Sequence, residues 1–486
     1  MPSYDNLNIL FSSHYSDEYI KVPDFSSRQV NCGPNCQDKD DGIRSLSMKT
    51  PVGQYDIQEI ISKLPNNQRP DLVIVKSDAT RSNHPINIES LSIPTLLIIG
   101  DTMHQHRPLQ TMLAYAKEQQ FDYYVADHGK RHLHFFRQLG IDAHWLPGVL
   151  IRTWDIPFEQ VRDIPISFVG QAGRFHPHRR LLLDKVKNDK FNLFQTRASQ
   201  KDACLIYAKS QITLNLSMMG DINLRVFEVL SAGGFLITDD ISPQAGKDLI
   251  FKNGEHLVLF KDYEDLKSKL NYYLENPSEA MAIAEKGYQE FCLNHSPSVK
   301  RKQLFDLVFE GKLPNSYDGR TDKRSIIIPE KKQTAIADRV QKYEYLQSIH
   351  RIKENLKLIF LVGSDQYLLS DLVDMPRFDL YHTDPPSENL MNVIGPNQIT
   401  RIDLTNINNE NCSCTFDLAV VSWQTLEFSF SKNYLKKAKI KQVIVANDKS
   451  IPKMDISFDI DNAIMNFGYL ALRHDGLTVY HLQTRD

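Results

Sequence analysis

Residues 212–240 read ITLNLSMMGDINLRVFEVLSAGGFLITDD, and this stretch decides the fold of the middle of the chain. An apolar segment is followed by a Gly-Asp loop, a short amphipathic segment, two glycines and a second apolar segment. Short apolar runs on either side of a helical pattern predict a β-α-β unit whose two parallel strands are buried on both faces. We expect the helix from about Leu224 to Ala232, with its end at Gly233-Gly234.

The same alternation of apolar strands and amphipathic helices continues in both directions. It predicts an α/β fold with two Rossmann-like, doubly wound domains that face each other, and a third, C-terminal Rossmann-like domain. The expected parts are an N-terminal domain at 1–150, a second domain at 151–312, a linker at 313–335 and a third domain at 336–486. Two segments in which apolar and polar residues alternate flank Asp475-Gly476, and they predict a β-hairpin near the end of the third domain.

Length, charge and cysteine content limit the function classes. The 486 residues suffice for several domains, and 57 Lys and Arg against 60 Asp and Glu argue against nucleic-acid binding through bulk charge. We expect no membrane-spanning segment and no signal peptide, and hence a cytoplasmic protein. The pairs Cys32–Cys36 and Cys412–Cys414 lie far apart in the sequence, so free thiols are expected and no metal site is predicted.

Residues 166–180, ISFVGQAGRFHPHRR, predict a strand, a glycine loop and the start of a helix. Gly170 and Gly173 would let the backbone approach a ligand closely, and the first turn of the helix would offer free N–H groups to an anion. Arg174 and Arg179 add guanidinium groups, whose fork fits phosphate oxygens. The alternative is a tight strand–helix turn with its arginines on a solvated helix face.

Arg225 and Glu228 are three residues apart, so they share one face of the predicted helix. In a cleft, the carboxylate could accept two hydrogen bonds from a ribose diol, and the guanidinium could neutralise phosphate. The alternative is a surface ion pair, which is normally worth only about 0–1 kcal/mol.

The region from residue 215 to residue 296 resembles the donor-binding half of CgeB-type (spore maturation protein) glycosyltransferases, a bacterial family with the GT-B fold. The resemblance implies that Glu228 binds the donor ribose and that Gly234 belongs to the donor site. Gly220 and Asp221 stand where the wider superfamily often has a second Glu. The residues that carry the resemblance are Asn223, Arg225, Phe227, Glu228, Gly233, Gly234, Thr238, Asp239, Tyr272, Tyr273, Pro277, Glu279 and His295.

The resemblance further implies that the N-terminal domain binds the acceptor, which could be a glycan, a protein or a small molecule. In GDTMHQHRP, Asp101 and His104 follow a predicted strand, and either could accept the proton of an acceptor hydroxyl. The alternatives are a polar loop with partly buried histidines, or a metal site. GT-B enzymes generally need no metal, so the resemblance implies no cofactor beyond the nucleoside-diphosphate sugar that serves as donor.

The third domain looks like a methyltransferase, with Asp384 after its second strand, but only Gly363 remains of the usual glycine-rich loop. A degenerate domain for packing, dimerisation or partner recognition is the favoured interpretation. The sequence therefore predicts a metal-independent, nucleotide-sugar-dependent glycosyltransferase. A non-catalytic nucleotide-sugar-binding scaffold, a methyltransferase and an epimerase are the rivals, and peripheral membrane contact and a homodimer through the third domain are left open.

Overall fold

The computed structural model divides into two compact units, Met1–Ile328 and Pro329–Asp486. Both units are α/β structures built around mainly parallel sheets. The structure describes residues 4–15, 23–42, 45–103, 106–158, 161–173, 176–322, 324–325, 333–350, 356–360, 366–372, 378–382, 400–401, 416–422, 440, 442–446, 469–474 and 477–482.

The first unit begins with an eight-stranded sheet in the order β10-β9-β8-β6-β1-β2-β4-β3. All neighbouring strands are parallel except β3 and β4, and β5 and β7 form a separate parallel pair. The strands are β1 (Asn8–Ser12), β2 (Arg28–Gly33), β3 (Lys39–Asp40), β4 (Ser45–Lys49), β5 (Gly53–Asp56), β6 (Leu72–Ser77), β7 (Asn83–Ile86), β8 (Thr95–Ile99), β9 (Tyr123–Ala126) and β10 (Ala143–Trp145).

Burial explains why the central strands of this sheet are mainly apolar. β6 and β8 are buried along their whole length, as expected for parallel strands that are covered on both faces. The covering helices are α1 (Ile57–Lys63), α2 (Pro108–Gln119) and α3 (Leu133–Gln138). α2 begins with a proline, which suits the first helical position.

The second sheet of this unit is parallel throughout and has the order β12-β11-β13-β14-β15. Its core includes Phe168, Leu214 and Phe235, all fully buried. The strands are β11 (Ile164–Val169), β12 (Leu193–Thr196), β13 (Ser210–Asn215), β14 (Leu236–Asp239) and β15 (Val258–Phe260). The helices are α4 (Pro177–Asn188), α5 (Gln200–Lys209), α6 (Leu224–Ser231), α7 (Tyr263–Glu275), α8 (Pro277–Glu290) and α9 (Pro297–Glu310).

The chain returns to the first sheet through α9 and the residues that follow it. The Tyr4 hydroxyl donates to Glu310 Oε1 at 3.1 Å, and the Tyr4 ring lies 5.2 Å from that of Phe305. Further on, Gln138 Nε2 donates to the main-chain oxygen of Arg324 at 2.8 Å. In the structure, α9 and the first part of the stretch predicted as a linker therefore contact the N-terminal part of the chain.

The carboxyl ends of the two sheets meet. Lys130, which follows β9, donates from Nζ to the main-chain oxygen of Gln244, which follows β14, at 3.4 Å. Trp145, the last residue of β10, packs so closely on Gly246 that a Cβ atom there would meet the ring at 2.6 Å. Because ligands of such sheets bind outside the carboxyl ends of the strands, the groove at this junction is the place to look for a site.

The second unit contains a seven-stranded sheet in the order β18-β17-β16-β19-β20-β22-β21. β22 is antiparallel to both of its neighbours, so the predicted terminal hairpin is confirmed, whereas Gly363 and Asp384 lie outside the described residues. No helix in the described ranges is long and apolar enough to cross a membrane. The elements are α10 (Gln333–His350), β16 (Leu356–Phe360), α11 (Gln366–Leu372), β17 (Phe378–His382), β18 (Thr400–Arg401), β19 (Leu418–Ser422), β20 (Gln442–Ala446), β21 (Tyr469–His474) and β22 (Leu477–Leu482).

Candidate functional site

The candidate site lies where the strand order of the second sheet reverses. The chain runs from β11 to β12 on one side of the sheet and then to β13 on the other side. The carboxyl ends of β11 and β13 therefore flank a crevice in which doubly wound sheets bind their ligands. Gly170 follows β11 directly and has a φ of +147°, a backbone conformation that favours glycine. A Cβ atom at this position would clash with the guanidinium of Arg225.

Arg225 is held over this crevice from α6. Its Nη1 donates to Asn215 Oδ1 at 2.9 Å, and its guanidinium lies 4.9 Å from the centre of the Phe168 ring. Asn223 Nδ2 donates to the same amide oxygen at 3.1 Å, so the side chain of Asn223 does not cap α6. Asn215, the last residue of β13, thus fixes both side chains by accepting from each.

Arg179 brings a second guanidinium to the same aromatic ring. It is 6% exposed and lies 5.4 Å from the centre of the Phe168 ring. Its two terminal nitrogens donate to the main-chain oxygens of Gln171 and Leu216, each at 2.8 Å. Arg179 therefore ties the loop after β11 to the end of β13. Burial, followed by the charge of Arg225, lowers the pKa of Arg179 to about 9, so the side chain is still charged at neutral pH.

Carboxylates lie near the two guanidiniums, since the charges of Asp221 and Asp239 act on Arg179 and the charge of Arg225 acts on Glu228. The side chains of Arg179 and Arg225 share one ring, and the acceptors described here for their hydrogen bonds are neutral oxygens. Two like charges held close together in a partly buried site favour an anion between or beside them. A diphosphate has the charge and the oxygen geometry that guanidinium groups bind best.

Glu228 lies one turn further along α6 and is 9% exposed. Its Oε1 accepts a hydrogen bond of 3.0 Å from Gln200 Nε2, at the start of α5. Burial raises the pKa of Glu228 above its usual value, and the nearby charge of Arg225 opposes this effect. In the described part of the chain, Gln200 Oε1 is buried without a hydrogen-bond partner. Glu228 and Gln200 together therefore offer acceptors for ligand hydroxyl groups.

A second group of polar residues lies near the carboxyl ends of β13 and β14, and the resemblance had already drawn attention to Asp221 and Asp239. Asp239 accepts from the main-chain nitrogen of Ser217 at 2.8 Å and from the Ser217 hydroxyl. Asp221 is 8% exposed, and its Oδ1 has no hydrogen-bond partner among the described residues. Asp221, Asp239 and the buried Lys247 line a small opening at this edge of the sheet. Asp239 is the last residue of β14, and Asp221 lies in the loop between β13 and α6.

The predicted site residues do not all lie together. Gly170, Arg179, Asn223, Arg225 and Glu228 surround the crevice described above, whereas a Cβ atom on Gly173 would point into open space.

Gly234 lies at the amino end of β14, away from this crevice. A Cβ atom there would meet Val229 Cγ1 at 2.8 Å, so close packing between α6 and the strand explains this glycine. Asp101 follows β8 in the first sheet, where its Oδ1 accepts from the main-chain nitrogen of Met103 at 2.7 Å. Arg174 and His104 lie outside the described residues.

A comparison with protein families matches residues 159–306 to a family described as glycosyl transferase-like. The match covers the whole second sheet and the crevice beside it. It confirms the prediction of a glycosyltransferase domain in this part of the chain. No curated protein matches the chain.

Several solved structures show distant similarity to this chain. A sucrose-phosphate synthase from Thermosynechococcus elongatus is 12% identical, with a TM-score of 0.43, over 63% of this chain and 99% of that protein. HepE from Anabaena, in complex with UDP and glucose, is 9% identical, with a TM-score of 0.41, over 62% and 99%. A glycosyltransferase from Rickettsia africae ESF-5 is 13% identical, with a TM-score of 0.44, over 63% and 99%.

Replacing Glu228 with Gln tests whether its buried carboxylate costs stability. We expect Glu228→Gln to raise the free energy of unfolding at neutral pH, because an amide can still accept from Gln200 but carries no charge. The folded-state pKa is raised, so the wild type loses stability as pH rises from about the usual value of 4.5 through the folded pKa. The gain in the variant should therefore be largest above that pKa and should shrink towards pH 4.5.

Urea denaturation at a series of pH values measures this difference. Glu285→Gln, at an exposed position of α8, is the matched control and should change stability little. A Glu228→Gln variant that is no more stable than the wild type at neutral pH would contradict the expectation.

Proposed function

We propose that the chain is a GT-B-type glycosyltransferase that moves a sugar from a nucleoside-diphosphate sugar to a hydroxyl-bearing acceptor. The observation that carries the proposal is the pair of guanidiniums, Arg179 and Arg225, at the reversal point of the second sheet. The diphosphate would bind at Gly170 beside Arg225. Residues 159–306, which carry this crevice, are the ones that match a glycosyl transferase-like family.

The charge of Arg225 suits the chemistry of glycosyl transfer. As the bond between the anomeric carbon and the phosphate oxygen breaks, negative charge grows on the leaving nucleoside diphosphate. Arg225 is already fixed by Asn215 and by the Phe168 ring, so it can stabilise that charge without first reorganising. Arg179 acts behind it, because its hydrogen bonds to Gln171 and Leu216 hold the loop in place. We propose that no metal ion is needed, because Arg225 already supplies positive charge at the leaving diphosphate.

The remaining parts of the donor would extend away from the diphosphate along two directions. The ribose would lie towards Glu228, whose carboxylate can accept from both ribose hydroxyls. The sugar would lie towards the opening lined by Asp221, Asp239 and Lys247, since carboxylates and an ammonium group can bind several sugar hydroxyls.

The finer assignments rest on the sequence. A CgeB-type, bacterial and cytoplasmic enzyme is proposed from the motif between residues 215 and 296. The acceptor, a glycan, a protein or a small molecule, is proposed to bind at the carboxyl ends of the first sheet. Those strand ends meet those of the second sheet where Lys130 contacts Gln244.

A second candidate function is methyl transfer by the second unit. The observation that favours it is the strand order, which reverses between β16 and β19 and so forms a crevice of the kind that binds nucleotides. Calorimetry of the full chain with S-adenosylmethionine tests this candidate. Saturable binding would support it, and an absence of binding would leave the second unit with a structural or partner-binding role.

Replacing Gly170 with Ala tests the diphosphate site. The added methyl group would displace the Arg225 guanidinium, and the φ of +147° would be strained. We expect nucleoside diphosphates to bind about 10- to 100-fold more weakly, since hydrogen bonds to charged groups contribute about 1.5–3 kcal/mol. Gly173→Ala, where a Cβ atom meets nothing within 4 Å, is the matched control. Equal dissociation constants for both variants in calorimetry would refute this site.

Replacing Glu228 with Ala separates the ribose from the diphosphate. Glu228→Ala should weaken binding of a nucleoside diphosphate about 10- to 100-fold, because ribose hydroxyls lose a charged acceptor. Binding of inorganic pyrophosphate should be unchanged, and sugar transfer should be lost. Calorimetry with both ligands makes the comparison, and thermal unfolding verifies that the variant is folded. Full turnover in the variant, or an equal loss for both ligands, would contradict the assignment.

A further inference from the structure

The first sheet has its own reversal point, and two ionisable side chains meet there. The chain runs from β1 to β2 on one side of the sheet and later to β6 on the other side, so the carboxyl ends of β1 and β6 flank a crevice. His14 lies two residues after β1, and Asp78 lies directly after β6. His14 Nε2 is 3.4 Å from Asp78 Oδ2.

The second ring nitrogen of His14 is available for other chemistry. Among the described residues, His14 Nδ1 has no hydrogen-bond partner. The main-chain oxygen of His14 accepts a hydrogen bond of 2.6 Å from Asn35 Nδ2. The side chain as a whole is 23% exposed, but Nδ1 itself is buried, so an acceptor hydroxyl would have to enter the crevice to reach it. Most buried polar atoms have partners, so an unpaired ring nitrogen at a crevice is typical of a group that meets a ligand.

The charges around His14 favour its neutral, proton-accepting form. Burial, and then the nearby charge of Lys76, lower the pKa of His14, while Asp78 opposes them. Burial alone would raise the pKa of Asp78, but Lys76 and His14 hold it well below its usual range. Asp78 therefore stays ionised, and its charge stabilises the imidazolium that forms when His14 takes up a proton.

We propose that His14 is the general base that takes the proton from the acceptor hydroxyl, and that Asp78 is the residue that positions it. This inference rests on the glycosyltransferase function proposed above. The acceptor oxygen forms a bond to the anomeric carbon as the bond from that carbon to the phosphate oxygen breaks. The hydroxyl proton goes to His14 Nδ1, and the electron pair of the broken bond leaves with the nucleoside diphosphate.

Other polar groups on this edge of the sheet are less suited to the role. Asp101 already accepts from the main chain of Met103. His128 pairs with its neighbour Asp127 at 3.4 Å, but it follows β9, which is separated from β1 by two strands. Lys76 is occupied by a 3.0 Å ion pair with Asp78. His14 is thus the described side chain that combines a free ring nitrogen with a place at the reversal point.

The test uses the full chain and water as the acceptor, because a base must also deprotonate water. Release of nucleoside diphosphate is measured with uridine, guanosine, adenosine and thymidine diphosphate sugars, and the fastest donor is used for the variants. His14→Ala should release product about 10²- to 10⁴-fold more slowly, with an unchanged dissociation constant for the donor. Added imidazole should restore part of the rate, because it can occupy the space left by the side chain.

Three further variants separate catalysis from folding. His256 lies just before β15 of the second sheet, and His256→Ala should release product at the wild-type rate. Asp78→Asn should slow release without changing donor binding, and Asp78→Glu should restore part of the rate because it returns the charge.

Each outcome decides between the two proposals. Three results would overturn the assignment of His14 alone. They are wild-type turnover in His14→Ala, a slow His14→Ala that imidazole does not rescue, and slow product release in His128→Ala while His14→Ala stays fast. A wild type that binds none of the donors and releases no product would overturn the glycosyltransferase function, and the role of His14 with it.

Discussion

The close approach of Arg225 to Gly170 is the contact on which the candidate site depends. It is feasible only because residue 170 has no side chain, and it is fixed by the Phe168 ring beneath the guanidinium and by the Asn215 amide beside it. A second guanidinium, that of Arg179, lies on the same ring. Holding two like charges so close together costs stability, and a ligand with negative charge would offset that cost.

Both sheets of the first unit follow one topological rule. In each, the strand order reverses beside the first strand, and ionisable side chains gather at the carboxyl ends on either side of the reversal. The second sheet presents guanidiniums there, and the first presents a histidine–carboxylate pair. The two edges meet where Lys130 contacts Gln244. A donor bound at one edge and an acceptor at the other would thus be brought into one groove.

The sequence predicted those features that depend on neighbours along the chain. The alternation of strands and helices, the glycine loop after β11 and the shared helix face of Arg225 and Glu228 are all local patterns. Contacts between distant segments were not accessible in the same way. Nothing near Arg179 in sequence indicates that its guanidinium binds the main chain of Leu216, because that contact requires β11 and β13 to be neighbours.

The same reasoning explains three features that depend on contacts between distant segments. Gly234 is close in sequence to Glu228 but lies at the opposite end of the strand that follows, so proximity in sequence was misleading. His14 and Asp78 are 64 residues apart, and only the pairing of β1 with β6 brings them together. Asp221 and Asp239 likewise line one opening because β13 and β14 are adjacent.

A crystal structure of the full chain with a bound nucleoside diphosphate tests the central claim most directly. The account predicts that the diphosphate lies beside Gly170, within hydrogen-bond distance of the Arg225 guanidinium, with the ribose against Glu228. A nucleotide bound elsewhere, with this crevice empty and Arg225 still on Asn215, would contradict it.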